Sequence, residues 1–200
     1  MPWTFAVVAD ILEKNPQVVW ITSVYPMTID EQGASVGVDV RWGYTRESFR
    51  KWLNLPEGRH YARYFIQQDC TFWRRSLWEK AGERFDNSLQ LAADYELWLR
   101  FFDHAQLYAV ASPLAGYRVH AEQKTALIGA YEEEAAKGMK KHGLKPLSDW
   151  QSWLRKCLIP VLKAMGLSSM LTHLRLLEAV QIFKHGGRGC NWQLVKRYIF

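Results

Sequence analysis

The sequence predicts an α/β fold over residues 1–143, followed by a helical, basic extension over residues 144–200. Apolar segments of strand length alternate with amphipathic segments of helix length up to about residue 120. A chain of 200 residues that is 48% hydrophobic and 23% charged can bury one sizeable core. The charge changes at the same boundary, because residues 1–143 carry 17 basic and 18 acidic residues and residues 144–200 carry 9 and 2.

The first third of the chain predicts two helices and a hairpin. Pro2 opens the first helix and the pair Asn15-Pro16 closes it. The apolar run "QVVWITSVY" predicts a buried strand, and "ASVGVDVRW", which follows the turn "DEQG", predicts the strand that returns along it. The segment "RESFRKWLN" predicts a short helix.

The middle of the chain predicts three further helices and three strands. Ser76 and Glu79 have the spacing of a capping box, and Gly82 is placed to end that helix. The remaining elements are the strand "ARYFIQQDCTFW", a helix from Asp94 to His104, strands at "LYAVA" and "GYRVH", and a polar helix over residues 125–142.

The extension predicts two amphipathic helices. Apolar residues at helical spacing form one stripe at Leu154, Cys157, Leu158, Val161, Leu162 and Met165, and a second at Leu171, Leu174, Leu177, Val180 and Phe183. The basic residues of this part permit contact with an anionic membrane surface. The alternative is a helical hairpin packed on the rest of the chain, with its charged face in water.

Composition excludes several classes of protein. The sequence has no apolar run of about 20 residues that could cross a bilayer, and its first residues do not have the pattern of a signal peptide. Three widely spaced cysteines predict free thiols and no zinc site. The aromatic residues do not alternate with basic ones, which argues against nucleic acid as a partner.

One part of the chain resembles family 2 glycosyltransferases, enzymes with the A-type glycosyltransferase fold that use nucleotide-sugar donors. The resemblance rests on "IQQDCTFWRR", "SLWEKAG", "FDNSL", "AADYELWLR" and "YRVH", which follow one another with the order and spacing of the family. It covers residues 1 to about 135, and it makes residues 1–143 a partial glycosyltransferase domain, the acceptor-side half.

The resemblance implies that Asp94 is the general base of an inverting enzyme. A base at this point takes the proton of the acceptor hydroxyl as that oxygen attacks the anomeric carbon. The residues alone also permit a structural interpretation, in which Asp94 is the N-cap of the helix that starts here.

Five other residues are candidates for binding. His120 matches a position that helps to hold a divalent metal or the donor phosphate, or it is a surface histidine at a strand end. Arg118 could hold a phosphate or pair with an acid. Gln67 and Gln68 could bind acceptor hydroxyls or satisfy loop backbone. Trp98, one helical turn after Asp94, could face the acceptor, although tryptophans are more often found in the core.

The donor side of the family's site has no counterpart in this sequence. The family requires an aspartate for the nucleotide base and an Asp-x-Asp pair for Mn²⁺ or Mg²⁺, and the chain starts where the helix after that pair is expected. Asp94 and Glu96 are a poor substitute, because residues two apart on a helix point to nearly opposite sides. We therefore expect weak binding of nucleotide sugars by this chain alone.

The sequence thus predicts a glycosyltransferase that builds surface polysaccharide, with activity that is expected to be absent or impaired in this chain. It would transfer sugar from a nucleotide-sugar donor to a saccharide or lipid-linked acceptor. The alternative is a non-catalytic acceptor-binding or partner-dependent fragment of such an enzyme. Either protein is expected in the cytoplasm, with the basic extension as a candidate contact to the inner face of the membrane.

Overall fold

The computed structural model describes residues 1–41, 43–54, 65–119, 128–145, 148–174, 177–187 and 191–199. The helices are α1 (Thr4–Lys14), α2 (Arg46–Arg50), α3 (Arg75–Lys80), α4 (Ala93–His104), α5 (Ile128–Lys141), α6 (Asp149–Ala164) and α7 (Ser168–His173), with a 3-10 helix at Gln68–Cys70. The strands are β1 (Trp20–Ser23), β2 (Met27–Ile29), β3 (Ser35–Val38), β4 (Thr71–Trp73), β5 (Tyr108–Val110), β6 (Gly116–Arg118), β7 (Glu178–His185) and β8 (Trp192–Ile199). The predicted α/β class is confirmed.

The strands form two mixed sheets. The larger has the order β4-β1-β5-β7-β8, in which β1, β5 and β7 are parallel and the two outer strands are antiparallel to their neighbours. The smaller has the order β3-β2-β6. The predicted return of β3 along β1 is therefore wrong, because β3 pairs with β2, a strand that the sequence did not predict. The reason is that β1 is buried between β4 and β5, which leaves it no free edge.

Helices cover both faces of the larger sheet. On one face, Val8 and Ile11 of α1 pack on Ile21, Val110 and Phe183. On the other face, α4 packs on Trp20. Trp20 precedes Ile21 in β1, so its side chain points to the opposite face of the sheet. An aromatic core fills this second layer, with its members at Trp20, Phe49, Trp73, Tyr95, Trp98, Phe101 and Phe102. Among the described helices, none has the length and apolarity needed to cross a membrane.

The N-terminal end of α3 differs from the predicted capping box. The N-cap is Arg74 rather than Ser76, and its Nε donates to the carbonyl oxygen of Val18 at 2.9 Å. Glu79 accepts from Arg75 Nε at 3.0 Å instead of reaching back to the cap. Gly82 has a φ of +90° just after the helix, as predicted for a glycine that ends it.

The second helix predicted for the extension is wrong. Helix α7 ends at His173, and Glu178–His185 form strand β7, which pairs with β5 on one side and β8 on the other. Strand pairing lets β7 bury Val180 and Ile182 on one face of the sheet and Phe183 on the other. Residues 144–200 are therefore part of the larger sheet and not only a helical extension.

Candidate functional site

Asp94 lies in the first turn of α4, at the level of the aromatic core. Helix α4 begins at Ala93, and its N-cap is Ala92, which makes no side-chain cap. The interpretation of Asp94 as the N-cap is therefore wrong, because the carboxylate is already inside the helix. The following residues hold it there, since Tyr95, Leu97 and Trp98 are all buried.

Two hydrogen bonds position the Asp94 carboxylate. The backbone N–H of Tyr95 donates to Oδ1 at 2.7 Å. The phenol of Tyr131, on α5, donates to the same oxygen at 3.2 Å. Burial holds the pKa of Tyr131 well above its ordinary value, and the charge of Asp94 raises it further, so this hydroxyl stays protonated and remains a donor.

Burial raises the pKa of Asp94 to about 6. The hydrogen bonds from Tyr95 and Tyr131 oppose this shift, and the nearby carboxylate of Asp69 adds to it. Asp69 lies on the 3-10 helix, and burial raises its own pKa as well. The arrangement produces a carboxyl group that gains and loses its proton near neutral pH, which is the range that suits a general base.

A second acid on α5 binds the backbone that leads into α4. Glu134 Oε2 accepts from the N–H of Leu91 at 2.7 Å and from the N–H of Ala92 at 3.0 Å. Burial acts to raise the pKa of Glu134, but these backbone hydrogen bonds outweigh it, so the pKa is lowered. A carboxylate here is also favoured by the positive end of the α4 dipole.

Sequence reasoning missed both Tyr131 and Glu134. They belong to α5, whose polar pattern resembles that of an ordinary solvated helix, and no motif connects it to α4. The useful signal was an aromatic residue, Tyr131, directly before three glutamates, because an aromatic side chain on a polar helix needs an apolar neighbour.

Glu96 does not join Asp94. Its carboxylate accepts from Arg100 Nε at 2.9 Å and Nη2 at 2.8 Å, and His142 Nε2 lies 3.3 Å from it. Arg100 also donates to the carbonyl oxygen of Arg84 at 2.6 Å. Glu96 therefore connects α4 to α5 and to the segment after α3, as a structural ion-pair network.

The two predicted glutamines have different environments. Gln67 is buried, and its Oε1 lies 3.8 Å from the Cys70 thiol, so the structure favours a structural role for this amide. Gln68 is exposed on the 3-10 helix, next to Asp69. Of the pair, Gln68 is therefore the residue whose side chain is open to a ligand.

Trp98 does not face an acceptor site. It is 1% exposed, and its ring stacks on Trp20 with centroids 5.5 Å apart while Trp73 meets it edge-on. The spacing of one helical turn from Asp94 was misleading, because nearly every side chain from Tyr95 to Phe102 is buried. Trp98 is a core residue, which corrects the acceptor-binding interpretation.

Arg118 and His120 are the two candidates on the donor side. Arg118 is exposed on β6, and its Nη2 lies beside Gly33 in the turn between β2 and β3. His120 lies outside the described residues. Within the described ranges, no three His, Cys, Asp or Glu residues are grouped so that they could hold a metal ion.

No protein-family model matches the chain, and no curated protein matches it. The function is therefore inferred from the segments between Ile66 and His120 that resemble family 2 glycosyltransferases, and from the geometry around Asp94.

Proposed function

We propose that this chain is the acceptor-side part of a glycosyltransferase, with Asp94 as the general base. The observation that carries the proposal is the half-buried Asp94 carboxyl in the first turn of α4, with a pKa of about 6 and a fixed hydrogen-bond partner on α5. The substrates are a nucleotide-sugar donor and a saccharide or lipid-linked acceptor, as the resemblance implies.

The two oxygens of Asp94 have different tasks in this proposal. The hydrogen bonds from Tyr95 and Tyr131 both end on Oδ1 and fix the plane of the carboxylate. Oδ2 is then the oxygen that takes the proton of the acceptor hydroxyl. The acceptor oxygen bonds to the anomeric carbon as the bond from that carbon to the diphosphate breaks, which inverts the configuration and releases a nucleoside diphosphate.

Tyr131 is a positioning residue and the exposed Gln68 a candidate for contact with the acceptor. Arg118, which is exposed on β6, is the candidate for the donor phosphate, because a guanidinium can bind a diphosphate through two hydrogen bonds. The family uses Mn²⁺ or Mg²⁺, but the described residues do not form a ligand set for either, so no step here includes a metal.

The first test of this proposal is a comparison of sugar transfer by the wild type, Asp94→Asn and Tyr131→Phe, with uridine and guanosine diphosphate sugars as donors. General-base catalysis predicts that Asp94→Asn lowers turnover by about 10²- to 10⁴-fold with little change in KM. Because the Tyr131 hydrogen bond lowers the pKa of Asp94, Tyr131→Phe should move the acid limb of the pH–rate profile to higher pH.

Asp103→Asn is the matched control, since Asp103 lies on the same helix and is exposed. It should leave turnover and the pH profile unchanged. Transfer by Asp94→Asn at the wild-type rate, where the wild type transfers sugar above the background without protein, would contradict the role of Asp94.

The second candidate is a non-catalytic acceptor-binding or partner-dependent fragment. The absence from the sequence of the family's Asp-x-Asp pair favours it. Calorimetric titration with nucleoside diphosphates and Mn²⁺ separates the two candidates. Micromolar, metal-dependent nucleotide binding would overturn the weak binding expected from the sequence and would support an enzyme with its own donor site. Saccharide binding without nucleotide binding supports the fragment.

A further inference from the structure

Helix α6 has an exposed apolar face, which we call the outer face. Its most exposed members are Trp150 (64%), Trp153 (63%), Val161 (56%) and Met165 (66%), the residue after the helix. Leu154 and Leu158 are also exposed, and so is the thiol-bearing Cys157. At 100° per residue these seven positions fall within roughly 140° of the helix circumference.

The opposite side of α6 already has partners. Ile159 is fully buried against Leu171 of α7 and Leu177, and Leu162 packs beside them. The hairpin interpretation, in which the apolar stripe packs on the rest of the chain, is therefore wrong for most of that stripe. Only Leu162 turns towards the chain, and Leu154, Cys157, Leu158, Val161 and Met165 point to solvent.

The composition of the outer face indicates what covers it. Two tryptophans at the amino end of the helix, followed by Leu, Val and Met, match the face that interfacial helices bury among lipid headgroups and acyl chains. Tryptophan favours this boundary because its ring is apolar and its N–H can still reach water. An exposed apolar stripe of this length on a helix is not explained by isolated surface residues.

Charge distinguishes between the possible occupants. Residues 144–200 carry 9 basic and 2 acidic residues, and Lys184 and Lys196 on β7 and β8 are exposed. A second copy of this segment would bring like charges together, whereas an anionic surface would be attracted. We propose that the outer face of α6 docks on an anionic lipid surface. This inference does not depend on the proposed glycosyl transfer.

The test is sedimentation of the full chain with two kinds of vesicle, phosphatidylcholine alone and phosphatidylcholine mixed with phosphatidylglycerol. We expect binding to the mixed vesicles that weakens as salt is added. The double variant Trp150→Ser/Trp153→Ser should bind at least about tenfold more weakly, because two interfacial anchors are lost. Both side chains are exposed, so the variant should keep its circular dichroism spectrum.

Phe5→Ser is the matched control, because Phe5 is an exposed aromatic residue on α1, away from the outer face. It should bind as the wild type does. A polarity-sensitive fluorophore on Cys157, in a Cys190→Ser background, should shift to shorter wavelength only with the mixed vesicles. Cys70 is buried and should not label.

Three results would overturn the proposal. The first is no binding to either vesicle, and the second is equal binding by the double variant. The third is a concentration-dependent dimer that the double variant abolishes, without any lipid binding, since the outer face would then be an interface between copies.

Discussion

At Asp94, the burial that raises the pKa of the carboxyl also makes its ionised form costly to the folded state. The pKa rises from 3.8 to about 6, so the folded chain holds the proton over a pH range in which the unfolded chain has lost it. The free energy of unfolding therefore falls as the pH rises through this range, and above the range it stays lower by the full amount. A base that must be ionised to act is thus expected to reduce stability at neutral pH.

The first residue-scale prediction is that Asp94→Asn stabilises the chain at pH 8. The gain should reach at most about 3 kcal/mol, since each unit of pKa shift corresponds to about 1.4 kcal/mol. It should decrease as the pH falls from about 6 and be nearly absent at pH 4, where the wild-type carboxyl is protonated in the fold. Urea unfolding at both pH values measures this.

Asp10→Asn serves as the control, because Asp10 is partly exposed on α1 and forms an ion pair with Lys14, four residues on. It should change stability little at either pH. A gain in Asp94→Asn of the same size at pH 4 and pH 8 would show that ionisation of Asp94 is not the cause.

Among single residues, the sequence located Asp94 correctly but not its surroundings. The segment "AADYELWLR" placed the aspartate at the start of a helix, which the structure bears out to within one residue. Tyr131 and Glu134 come from a helix nearly forty residues later, and local pattern carries no information about such pairs. At Trp98, helical spacing from Asp94 was no guide to the site, because the apolar surroundings of α4 make Trp98 the core residue that its residue type favours.

At the level of elements, the packing of strand β7 depends on a close approach to the backbone at Gly43. Gly43 has a φ of +99°, and a Cβ placed on it would lie 2.2 Å from Val180 Cγ1 on β7. No side chain fits there unless β7 moves. The segment before α2 and the strand β7 are therefore packed against each other through a glycine.

Gly43→Ala is predicted to destabilise the chain by at least about 2 kcal/mol, from overpacking and from the positive φ together. Thermal or urea unfolding measures the loss. In the double variant Gly43→Ala/Val180→Ala, the combined loss should be smaller than the sum of the two single losses, because the clash is relieved. Gly37→Ala, on exposed β3 with nothing near its Cβ position, should cost little. Additive losses in the double variant would mean that the two residues do not touch.

The sequence misassigned β7 because its apolar residues fit two periods. Leu171, Leu174, Leu177, Val180 and Phe183 follow helical spacing, but Ile182, which is 2% exposed, does not belong to that stripe. The glycines after His185 indicate a turn, and the aromatic and β-branched residues Trp192, Val195, Tyr198 and Ile199 beyond them favour a strand. Helices and strands in the first two thirds of the chain were easier to predict, because a glycine or proline in the sequence marks the end of several of them.

At the scale of the whole molecule, residues 144–200 contribute two strands, β7 and β8, to the larger sheet. Strand β7 pairs with β5, and Phe183 lies in the same cluster as Val8 and Ile11 of α1. The change of charge at residue 143 therefore does not coincide with a break in the sheet or in its apolar core.

A chain of residues 1–143 is accordingly predicted to lose cooperative unfolding and to bind a hydrophobic dye, since β5 and the α1 layer would lose their cover. Near-ultraviolet circular dichroism and dye fluorescence measure this. As a control, residues 148–174 are replaced by a flexible Gly-Ser linker so that β7 and β8 stay in place. That chain should keep its tertiary signal. A native spectrum from residues 1–143 alone would show that strands β7 and β8 are not needed for folding.

The parallel pairing of β5 with β7 has a consequence for synthesis on the ribosome. Ala109 pairs with Ile182, and the chain between them includes α5, α6 and α7. Contacts this distant in sequence form slowly, and they cannot form before the later segment has been made. While translation continues, the side of β5 that β7 will occupy has no strand to pair with. The nascent chain is most open to chaperones, and to mispairing with other chains, during that interval.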